Sequence, residues 1–463
     1  MRANSKWKSM QYIHAQLKQC EYEKKRNSLQ QEYLFNLKNK ANFDFTKKTS
    51  NLFREKKQDI KKIDVSNFNQ VININFKKNI AECEAMIRFD DLSRETLKYD
   101  YTPPVVPELK TITLGGAISG VGIEASSFKF GLVHESVLEM EVMLANGEIV
   151  VCNPDNKYRD LFYALPNSYG TLGYILKVKI PLVKTKKYVE LQYEQFENSR
   201  DFFSAITKQC QEKKDDYIDG VIFSEREMYI IKSNFIDKAP YHSNYTYLHI
   251  YYQSIRHKIK DYLTIYDFIW RWDTDWFWCS KIFGMQNPIL RLLFGKFALG
   301  SRAYWSISRF EEKYKIRNRI EKLFTGKIKH TESVVQDVCI PAENAQSFLA
   351  FYWKHINIRP IWICPIKPYK NISYPLFKMQ QKLYLDFGFW DIIQKDVPKG
   401  YHNKLIEKEV EKLGGMKSLY SESYYEENKF WQIYDGKYYK KLKLKYDPDY
   451  IFSDLYSRCV KNK

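Results

Sequence analysis

The chain has 463 residues, of which 44% are hydrophobic and 16% aromatic. That length exceeds one ordinary hydrophobic core, so at least two domains are expected, and the apolar content excludes a disordered tail. The formal net charge is +19, but no RNP, helix-turn-helix or zinc-finger pattern accompanies it, so no nucleic-acid partner is expected. A phosphate-bearing cofactor or an anionic membrane surface would use the same positive charge.

The cysteines and the N-terminal sequence indicate in which cellular compartment the protein is expected. The eight cysteines form no CxxC pair, and none stands at metal-ligand spacing with a histidine, which favours free thiols in a reducing compartment. Residues 1–20 contain no apolar signal segment, and no window of about 18 apolar residues predicts a spanning helix. We therefore expect a cytoplasmic protein, soluble or peripherally associated with a membrane, without a metal site.

Short elements fill the first part of the chain. A basic helical segment, as one helix or two, is predicted for residues 8–40. Short β-type runs follow at 62–66, 70–76 and 84–89, and the sequence SRETLKY after Asp91 predicts a short helix. Strands interrupted by a helix are typical of the α+β class.

A proline-rich extended segment and a predicted hairpin flank a glycine-rich stretch at residues 111–131. Residues 102–109 carry three prolines, and each restricts the residue before it to extended geometry. Residues 136–153 form two alternating runs around Asn146-Gly147, the preferred pair for a type I′ turn. A helical turn, a second glycine loop and a long strand are then predicted for residues 159–183.

The character of the sequence changes at 184–190, where we place a domain boundary. Longer helices are predicted beyond it, at 200–213, 306–324 and 342–355, between β-type runs such as GVIFSE and REMYII. The C-terminal half therefore keeps the α+β pattern.

Residues 266–305 are unusually aromatic and apolar. Tryptophans stand at positions 270, 272, 276 and 278, and the apolar run after them is interrupted by Arg291 and Lys296. Two interpretations stay open. The segment is either buried core, or an interfacial segment with aromatic side chains at headgroup depth and snorkelling basic residues.

The most informative stretch is TITLGGAISGVGIEASSFKFG, residues 111–131. Gly115 and Gly120 have the spacing of a P-loop, but Val121-Gly122 replaces its Lys-Ser/Thr, which excludes a nucleoside triphosphatase of that type. A Rossmann fingerprint has a different glycine order and precedes a helix, whereas a hairpin follows here. The residues alone indicate a backbone that approaches a ligand, preferably an anionic one, or glycines that serve turns only.

A family resemblance resolves the choice. VVPELKTITLGGAISGVGIEASSFKFGLVHESVLEMEVMLANGEIV and DLFYALPNSYGTLGYILKVKIPL resemble the PCMH-type FAD-binding domain of the vanillyl-alcohol-oxidase superfamily. More narrowly, the chain is similar to the Δ24-sterol reductase (24-dehydrocholesterol reductase) family. Four further motifs of the second half carry this resemblance: MQNPILRLLFGKF, HTESVVQDVCIP, IRPIWICP and FWQIYDGKYYKKL. It extends from about residue 30 nearly to the end of the chain.

The resemblance implies an α+β fold with a PCMH-type FAD-binding domain of two α+β subdomains and an α+β substrate (cap) domain. Four segments are expected in chain order. They are an N-terminal basic helical segment at 1–40, the FAD-binding domain at 41–186, the substrate domain at 187–400, and a C-terminal segment at 401–463 that returns to the flavin.

The resemblance also implies where the cofactor contacts lie. FAD should follow the first glycine stretch, and the GTLG loop should form a second wall beside it. The cofactor-binding residues implied in these two loops are Thr113, Leu114, Gly115, Gly116, Ser119, Gly120, Gly122, Ser126, Ser127, Gly170, Thr171 and Gly173.

The first phosphate loop of the family should fall at residues 46–57. There the usual glycines are missing, and side-chain donors would replace their amides: Thr49, Ser50 and Asn51, beside Lys47, Lys48 and Arg54. Covalent flavin attachment in this superfamily commonly uses a histidine of that loop. The chain has no histidine between His14 and His134, so non-covalent FAD is expected. His134 is either a neighbour of the flavin or a structural histidine.

The implied reaction is reduction of an isolated sterol double bond, with NADPH as reductant. Protonation of the less substituted carbon leaves a tertiary cation, which accepts hydride. Tyr438, Tyr439, Lys441 and Asp435 are acid candidates in the C-terminal motif. We favour Tyr439, with Lys441 lowering its pKa, and Glu124 as a second, buried acid; a purely structural role is the alternative for both.

Two other functions stay open. One is a related flavin enzyme that acts on a hydroxy acid or a sugar lactone, for which a polar pocket is expected. The other is a lipid-binding or interaction protein without flavin, suggested by the irregular 46–57 loop. The apolar segment 266–305 favours a sterol or another apolar substrate, whose entrance it would line, or a peripheral membrane contact.

Overall fold

The computed structural model describes residues 2–40, 43–47, 61–304, 306–307, 331–370, 372–394 and 397–461. The helices are α1 Arg2–Lys38, α2 Phe89–Leu97, α3 Leu114–Ser119, α4 Ser127–Phe130, α5 Arg159–Ala164, α6 Ser199–Glu212, α7 Tyr251–Ser254, α8 Ile265–Ile269, α9 Pro288–Ala298, α10 Ala345–His355, α11 Tyr401–Lys412, α12 Glu427–Ile433 and α13 Gly436–Tyr446. The strands are β1 Phe43–Thr46, β2 Lys61–Asp64, β3 Val71–Asn75, β4 Ile80–Glu84, β5 Tyr101–Thr102, β6 Glu139–Met143, β7 Ile149–Cys152, β8 Tyr174–Pro181, β9 Val183–Lys184, β10 Tyr188–Phe196, β11 Tyr217–Ser224, β12 Glu227–Ile236, β13 Lys260–Thr264, β14 Thr331–Pro341, β15 Ile361–Ile366, β16 Tyr384–Gln394 and β17 Met416–Lys417. This mixture confirms the predicted α+β class.

A five-stranded antiparallel sheet, ordered β3-β4-β8-β6-β7, organises the N-terminal part. The single helix α1 packs on this sheet. Tyr22 donates a hydrogen bond to Glu141, Tyr33 donates to the carbonyl of Ala145 at 2.8 Å, and Lys25 pairs with Glu84 at 2.6 Å. The basic N-terminal segment is therefore an integral layer of this part of the fold.

Two local predictions for this sheet were wrong. The run 84–89 is a strand only at its first residue, because β4 ends at Glu84 and Phe89 begins α2. Its residues are almost all buried, and a continuous apolar run carries no period that distinguishes a strand from a bend. The β6–β7 turn is not type I′, since Gly147 has a φ of +83° but Asn146 has no positive φ. Its bonds, from Gly147 N to Leu144 O and from Leu144 N to Glu148 O, fit a longer turn with a glycine bulge.

An eight-stranded sheet, ordered β13-β10-β12-β11-β15-β16-β14-β17, organises the C-terminal part. It begins at Tyr188, so the change of sheet falls within the predicted boundary at 184–190, although the four-segment domain division stays a prediction. Helices α6 and α10 confirm two predicted helices and cover one face of this sheet. The predicted helix at 306–324 lies outside the described residues, apart from 306–307.

The other face of the eight-stranded sheet packs against the glycine-rich part of the chain. The amide of Ile218 on β11 donates to the carbonyl of Ala125 at 3.0 Å, and the amide of Lys367 donates to that of Ser127 at 3.2 Å. Cys339, Trp362 and Trp390 on this face share one hydrophobic core with the five-stranded sheet. The two sheets are thus joined at the end of the first glycine stretch.

The segment 266–305 divides into two parts: the tryptophan-rich part is buried core, as one interpretation expected, whereas contact with a membrane stays a prediction. The four tryptophans are buried, at most 8% exposed. Helix α9, in contrast, carries exposed apolar side chains, although Arg291 was expected to snorkel and is instead buried against Asp275. No helix of the described residues is both long and apolar enough to cross a bilayer.

The C-terminal segment contacts both parts of the fold. Strand β17 pairs with β14 at the edge of the eight-stranded sheet. Helix α13 reaches the second glycine loop, where Lys443 donates to the carbonyl of Thr171 at 2.8 Å, and Tyr446 bonds to Asp160 at 2.7 Å. The segment therefore lies beside the expected cofactor loops.

Candidate functional site

The first glycine stretch forms the short helix α3, which is capped by Thr113. The Thr113 hydroxyl accepts a hydrogen bond from the Gly116 amide at 3.3 Å and another from Lys47 Nζ at 2.7 Å. A half-buried ammonium group therefore lies at the start of this helix. Both the cation and the helix orientation favour a negatively charged ligand group here.

Three of the predicted cofactor glycines are required by protein packing. A Cβ atom on Gly115 would lie 2.9 Å from Ala85 Cβ, one on Gly122 would lie 2.9 Å from Pro107 Cγ, and one on Gly173 would lie 2.6 Å from Val142 Cγ1. The Gly115 amide also donates to the Ala85 carbonyl at 2.7 Å. These glycines hold the loops against the five-stranded sheet, and their contact with a cofactor stays a prediction.

Three other glycines lie on the half-buried side of the loops. A Cβ on Gly116 would lie 2.8 Å from Lys47 Nζ, and the nearest side chain to one on Gly120 would be the ring of Tyr169 at 3.8 Å. Gly170 has a φ of +78°, which favours glycine, and only Tyr174 would come within 4 Å of its Cβ. The two glycine loops therefore adjoin, as the resemblance implied.

This geometry fits an extended diphosphate cofactor such as FAD. Gly170 leaves backbone surface with only Tyr174 nearby, and the Thr113 hydroxyl and the Lys47 ammonium group take the space beside Gly116, so that positive charge lies against the loop. The predicted contacts Ser50 and Asn51, with Thr49, Lys48 and Arg54, lie outside the described residues. Lys47, Gly116, Gly120 and Gly170 are thus the described residues that would hold the cofactor.

The predicted hydroxyl donors mostly serve the protein backbone instead. Ser126 Oγ donates to the Pro104 carbonyl at 2.8 Å, and Thr171 Oγ1 donates to that of Ser168 at 2.7 Å. Ser127 Oγ accepts from the Glu124 amide at 3.1 Å. Leu114 is buried in the core, whereas Ser119 stays half-buried on α3.

The C-terminal acid candidates do not form the predicted pair. Tyr439 is buried, accepts a hydrogen bond from the Leu455 amide at 3.0 Å and stacks on Trp431. Burial raises its pKa, whereas Lys441 was expected to lower it. Lys441 is exposed, because residues two apart on a helix point to different sides. Tyr438 donates to the Asp160 carbonyl at 3.4 Å, and Asp435 pairs with Lys378 at 2.6 Å.

The buried lysine of α13 is Lys443, which the sequence analysis did not single out. Its Nζ donates to Asp447 Oδ2 at 2.5 Å, to Thr171 O at 2.8 Å and to Phe452 O at 2.7 Å. Burial lowers its pKa. The i, i+4 spacing of Lys443 and Asp447 is a signal that could have identified it.

Glu124 belongs to a buried charged cluster between the glycine stretch and the eight-stranded sheet. Its carboxylate pairs with Arg271 at 3.4 Å, and Arg271 also bonds to Asp219 on β11 at 3.0 Å. Glu108 lies against Glu124, and burial raises the pKa of both carboxyl groups. The ion pair with Arg271 favours the structural role that was the alternative for Glu124.

A second pair of carboxyl groups stands on the inward face of the sheet, and sequence reasoning missed it. Asp386 on β16 pairs in register with Cys364 on β15 and with Cys339 on β14, and Asp337 pairs with Gly388 one row away. Asp386 is fully buried, and Asp337 Oδ1 is inaccessible to solvent. The sequence does contain a signal for this pair. In each of the two strands, an Asp stands at a position of the inward-facing alternation that is otherwise taken by apolar residues.

These two aspartates have raised pKa values. Burial is the main cause for both, and the charge of Asp337 adds to the rise at Asp386. Tyr420 contacts Asp337 and accepts a hydrogen bond from Trp390 Nε1 at 3.0 Å, and Cys339 Sγ lies 3.3 Å from Asp386 Oδ1. No described cation pairs with either carboxyl group, so nothing of that kind offsets the effect of burial, which favours the protonated form.

Aromatic rings surround the inward face near this pair. Phe277 lies 4.3 Å from Trp390 and 5.3 Å from Trp362 between ring centroids, and Trp278 lies 5.2 Å from Trp390. Gly388 makes room for this arrangement, since a Cβ there would lie 2.5 Å from the Trp390 ring. The carboxyl pair therefore faces an apolar, aromatic environment.

His134 is a buried, neutral histidine. Burial lowers its pKa to about 3, and its ring packs edge-on against Tyr374 at 4.4 Å. It lines a small surface cleft together with Glu135 and Phe377. This packing favours the structural alternative for His134.

Comparisons with known proteins agree with these features. A model of the FAD binding domain matches residues 27–153. A Δ24-sterol reductase of Homo sapiens is 28% identical over 411 residues, which cover 85% of this chain and 77% of that protein. One of Pisum sativum is 26% identical, over 87% of this chain and 76% of that protein. A Neurospora crassa protein, named provisionally as a D-arabinono-1,4-lactone oxidase, is 36% identical over 121 residues, 26% of this chain.

Proposed function

We propose that this chain, an FAD-dependent oxidoreductase that belongs to the Δ24-sterol reductase family, reduces the C24=C25 double bond of a sterol side chain. NADPH would be the reductant, and non-covalent FAD would supply the hydride. The names of the long relatives support the sterol substrate, and the absence of a histidine between His14 and His134 supports non-covalent binding.

One observation carries the proposal: the carboxyl pair Asp337 and Asp386 is held among aromatic rings. An isolated trisubstituted alkene accepts hydride poorly until one of its carbons is protonated, so the site needs an acid that keeps its proton in apolar surroundings. Burial disfavours the carboxylate form, and a second carboxyl group beside it disfavours that form further. This pair meets both conditions.

The roles of the residues follow from this arrangement. The proton held by Asp386, beside Asp337, would pass from a carboxyl oxygen to the less substituted alkene carbon. Trp362, Trp390 and Phe277 would exclude water and pack against the apolar substrate. Lys47 and the glycine loops would bind the cofactor from the opposite side, and Lys443 would fix the second glycine loop.

Half-reactions followed through the visible flavin spectrum test this function. Without oxygen, NADPH should bleach the flavin, and a Δ24-sterol should then restore its colour, whereas the saturated sterol should not. Acid precipitation should release the flavin into solution. Flavin that stays with the pellet would contradict non-covalent binding, and colour that no Δ24-sterol restores would contradict the substrate assignment.

The lactone oxidase similarity makes an oxidase the second candidate. Such an enzyme would be reduced by a hydroxy acid or a lactone and rapidly reoxidised by oxygen. The same spectra distinguish the two, because the oxidase would bleach with the lactone rather than with NADPH. The aromatic surroundings of the inward face favour the sterol.

A further inference from the structure

Helix α9 presents an apolar face to solvent. Its side chains Ile289, Leu290, Leu292, Leu293, Phe294 and Phe297 are each between 38% and 84% exposed. Leu248, 50% exposed, continues this surface, because it lies between two residues whose carbonyls accept hydrogen bonds from Arg291 of α9. Contiguous exposed apolar side chains of this number mark an interaction surface rather than scattered surface residues.

The polar side of this helix is the buried one. Arg291 is 1% exposed and forms a two-point ion pair with Asp275, at 2.6 and 2.9 Å. Gly295, one turn later, packs on the ring of Tyr247, which would lie 3.0 Å from a Cβ. Asn287 caps the first turn by accepting hydrogen bonds from the amides of Ile289 and Leu290. The helix is thus fixed with its apolar side outward.

The exposed arc is wide. At 3.6 residues per turn, the six apolar positions span an arc of about 200° around the helix axis. A helix that binds a protein groove uses a narrower stripe of anchors at i, i+3, i+4 and i+7. A wide arc matches a fluid apolar phase, which can surround the helix on most of its circumference.

The charges around the helix complement an anionic surface. The two segments that form this part of the molecule, 238–257 and 281–304, contain no Asp or Glu and six Lys or Arg residues. Four of the six pair with carboxylates of other segments, and the two without a described ion pair are Lys238 and Lys296. Lys296 is exposed within the apolar arc, and its ammonium group lies 5.7 Å from the centroid of the Tyr247 ring. A lysine there can keep its charge at headgroup level while its stem lies along the apolar surface.

We propose that the outer face of α9, with Leu248, binds the surface of a bilayer that contains anionic lipid. The apolar side chains enter the boundary between headgroups and acyl chains, and Lys296 contacts the lipid phosphates. This inference goes beyond the proposed function and does not depend on it, because binding requires neither flavin nor a sterol.

Sedimentation with vesicles tests the proposal. The flavin-loaded full chain would be mixed with phosphatidylcholine vesicles containing about 30% phosphatidylserine, and with vesicles of phosphatidylcholine alone. We expect tighter binding to the anionic vesicles, weakened but not abolished by salt, since burial of apolar side chains is not screened. Leu293→Glu should lower the partition coefficient by at least about tenfold.

Leu444→Glu is the matched control. Leu444 lies on α13 and is 59% exposed, against 61% for Leu293, so both variants place the same charge on a comparable surface. The control should bind vesicles as the unaltered chain does. Because both side chains are exposed, both variants should keep their flavin spectrum.

Two results would overturn the proposal. One is a Leu293→Glu variant that binds anionic vesicles as tightly as the unaltered chain and the control do. The other is a chain that does not bind vesicles but self-associates, as measured by light scattering, where Leu293→Glu abolishes the self-association. That second result would assign the α9 face to contact between copies of this chain.

Discussion

At the scale of single residues, the proposed function depends on carboxyl groups that retain protons. Asp386 and Asp337 are diagonal neighbours on adjacent strands, without a described cation between them. Burial raises both pKa values, and the charge of Asp337 raises that of Asp386 further, so the protonated form extends to higher pH than for an ordinary aspartate. Activity that needs this proton should be present at lower pH and lost as the pH rises through the raised pKa of the pair.

Asp386→Asn should remove the acid while keeping its size. We expect sterol reduction to slow by about 100-fold or more, with reduction of the flavin by NADPH unchanged. Asp391→Asn on the same strand is the control, because Asp391 faces the other side and pairs with Lys281 at 2.7 Å. Rapid-mixing spectra of the two half-reactions measure both effects. An equal loss in both half-reactions would contradict a role in protonation.

Lys443 and Lys441 allow a second comparison within one helix. Lys443→Met removes an ammonium group that bonds to Asp447, Thr171 and Phe452, and leaves a buried carboxylate unpaired. We expect it to lower the free energy of unfolding by about 3–5 kcal/mol. Lys441→Met, at an exposed position, should change it by less than about 0.5 kcal/mol. Denaturant unfolding measures both, and equal effects would contradict the assignment.

At the scale of elements, the two glycine loops would form the cofactor wall together with Lys47. Gly116→Ala would place a Cβ 2.8 Å from Lys47 Nζ and 2.7 Å from Thr113 Oγ1. Lys47→Gln removes the cation directly. Each should weaken FAD binding by about tenfold or more, since a charged hydrogen bond contributes about 1.5–3 kcal/mol.

Lys98→Gln is the control for the cofactor prediction, because Lys98 is exposed on α2 and pairs with Glu95. Fluorescence titration of the deflavinated protein with FAD measures the affinities. Unaltered FAD affinity in Lys47→Gln would show that the diphosphate lies elsewhere.

The same elements show what the sequence could predict. The glycine loops and the flanking strands were found because glycine patterns and alternating apolar residues are local signals, whereas the closeness of the C-terminal segment was implied by the family resemblance. Which glycines serve protein packing could not be predicted from the sequence. Gly115 and Gly122 are needed because Ala85 and Pro107 lie close to them, and only the fold brings these residues together. The Asp337–Asp386 pair was missed for the same reason, because strand register creates it.

At the scale of the whole molecule, Arg271 joins the glycine-rich part to the eight-stranded sheet. It pairs with Glu124 on one side and Asp219 on the other, fully buried. Without it, Glu108, Glu124 and Asp219 would lack a cation at the junction.

Arg271→Met should therefore destabilise the protein in a pH-dependent way. In this variant the remaining carboxyl groups would have pKa values in the folded state above those in the unfolded state. Their contribution to the free energy of unfolding is therefore complete below the ordinary carboxylate pKa and is lost as the pH rises through the raised values. We expect a loss of about 3–5 kcal/mol near neutral pH and a smaller loss in acid, measured by denaturant unfolding across pH. A loss that does not change with pH would contradict the buried cluster as the cause.

The central claim is that electrons pass from NADPH to a carbon–carbon double bond of a sterol. The most direct test is anaerobic turnover of the purified, flavin-loaded chain with NADPH and a Δ24-sterol, with the sterol product analysed by mass spectrometry. The account predicts a product that gains two hydrogens for each NADPH oxidised, saturated at C24 and C25. NADPH-independent turnover of a lactone or hydroxy acid, with the sterol recovered unchanged, would contradict it.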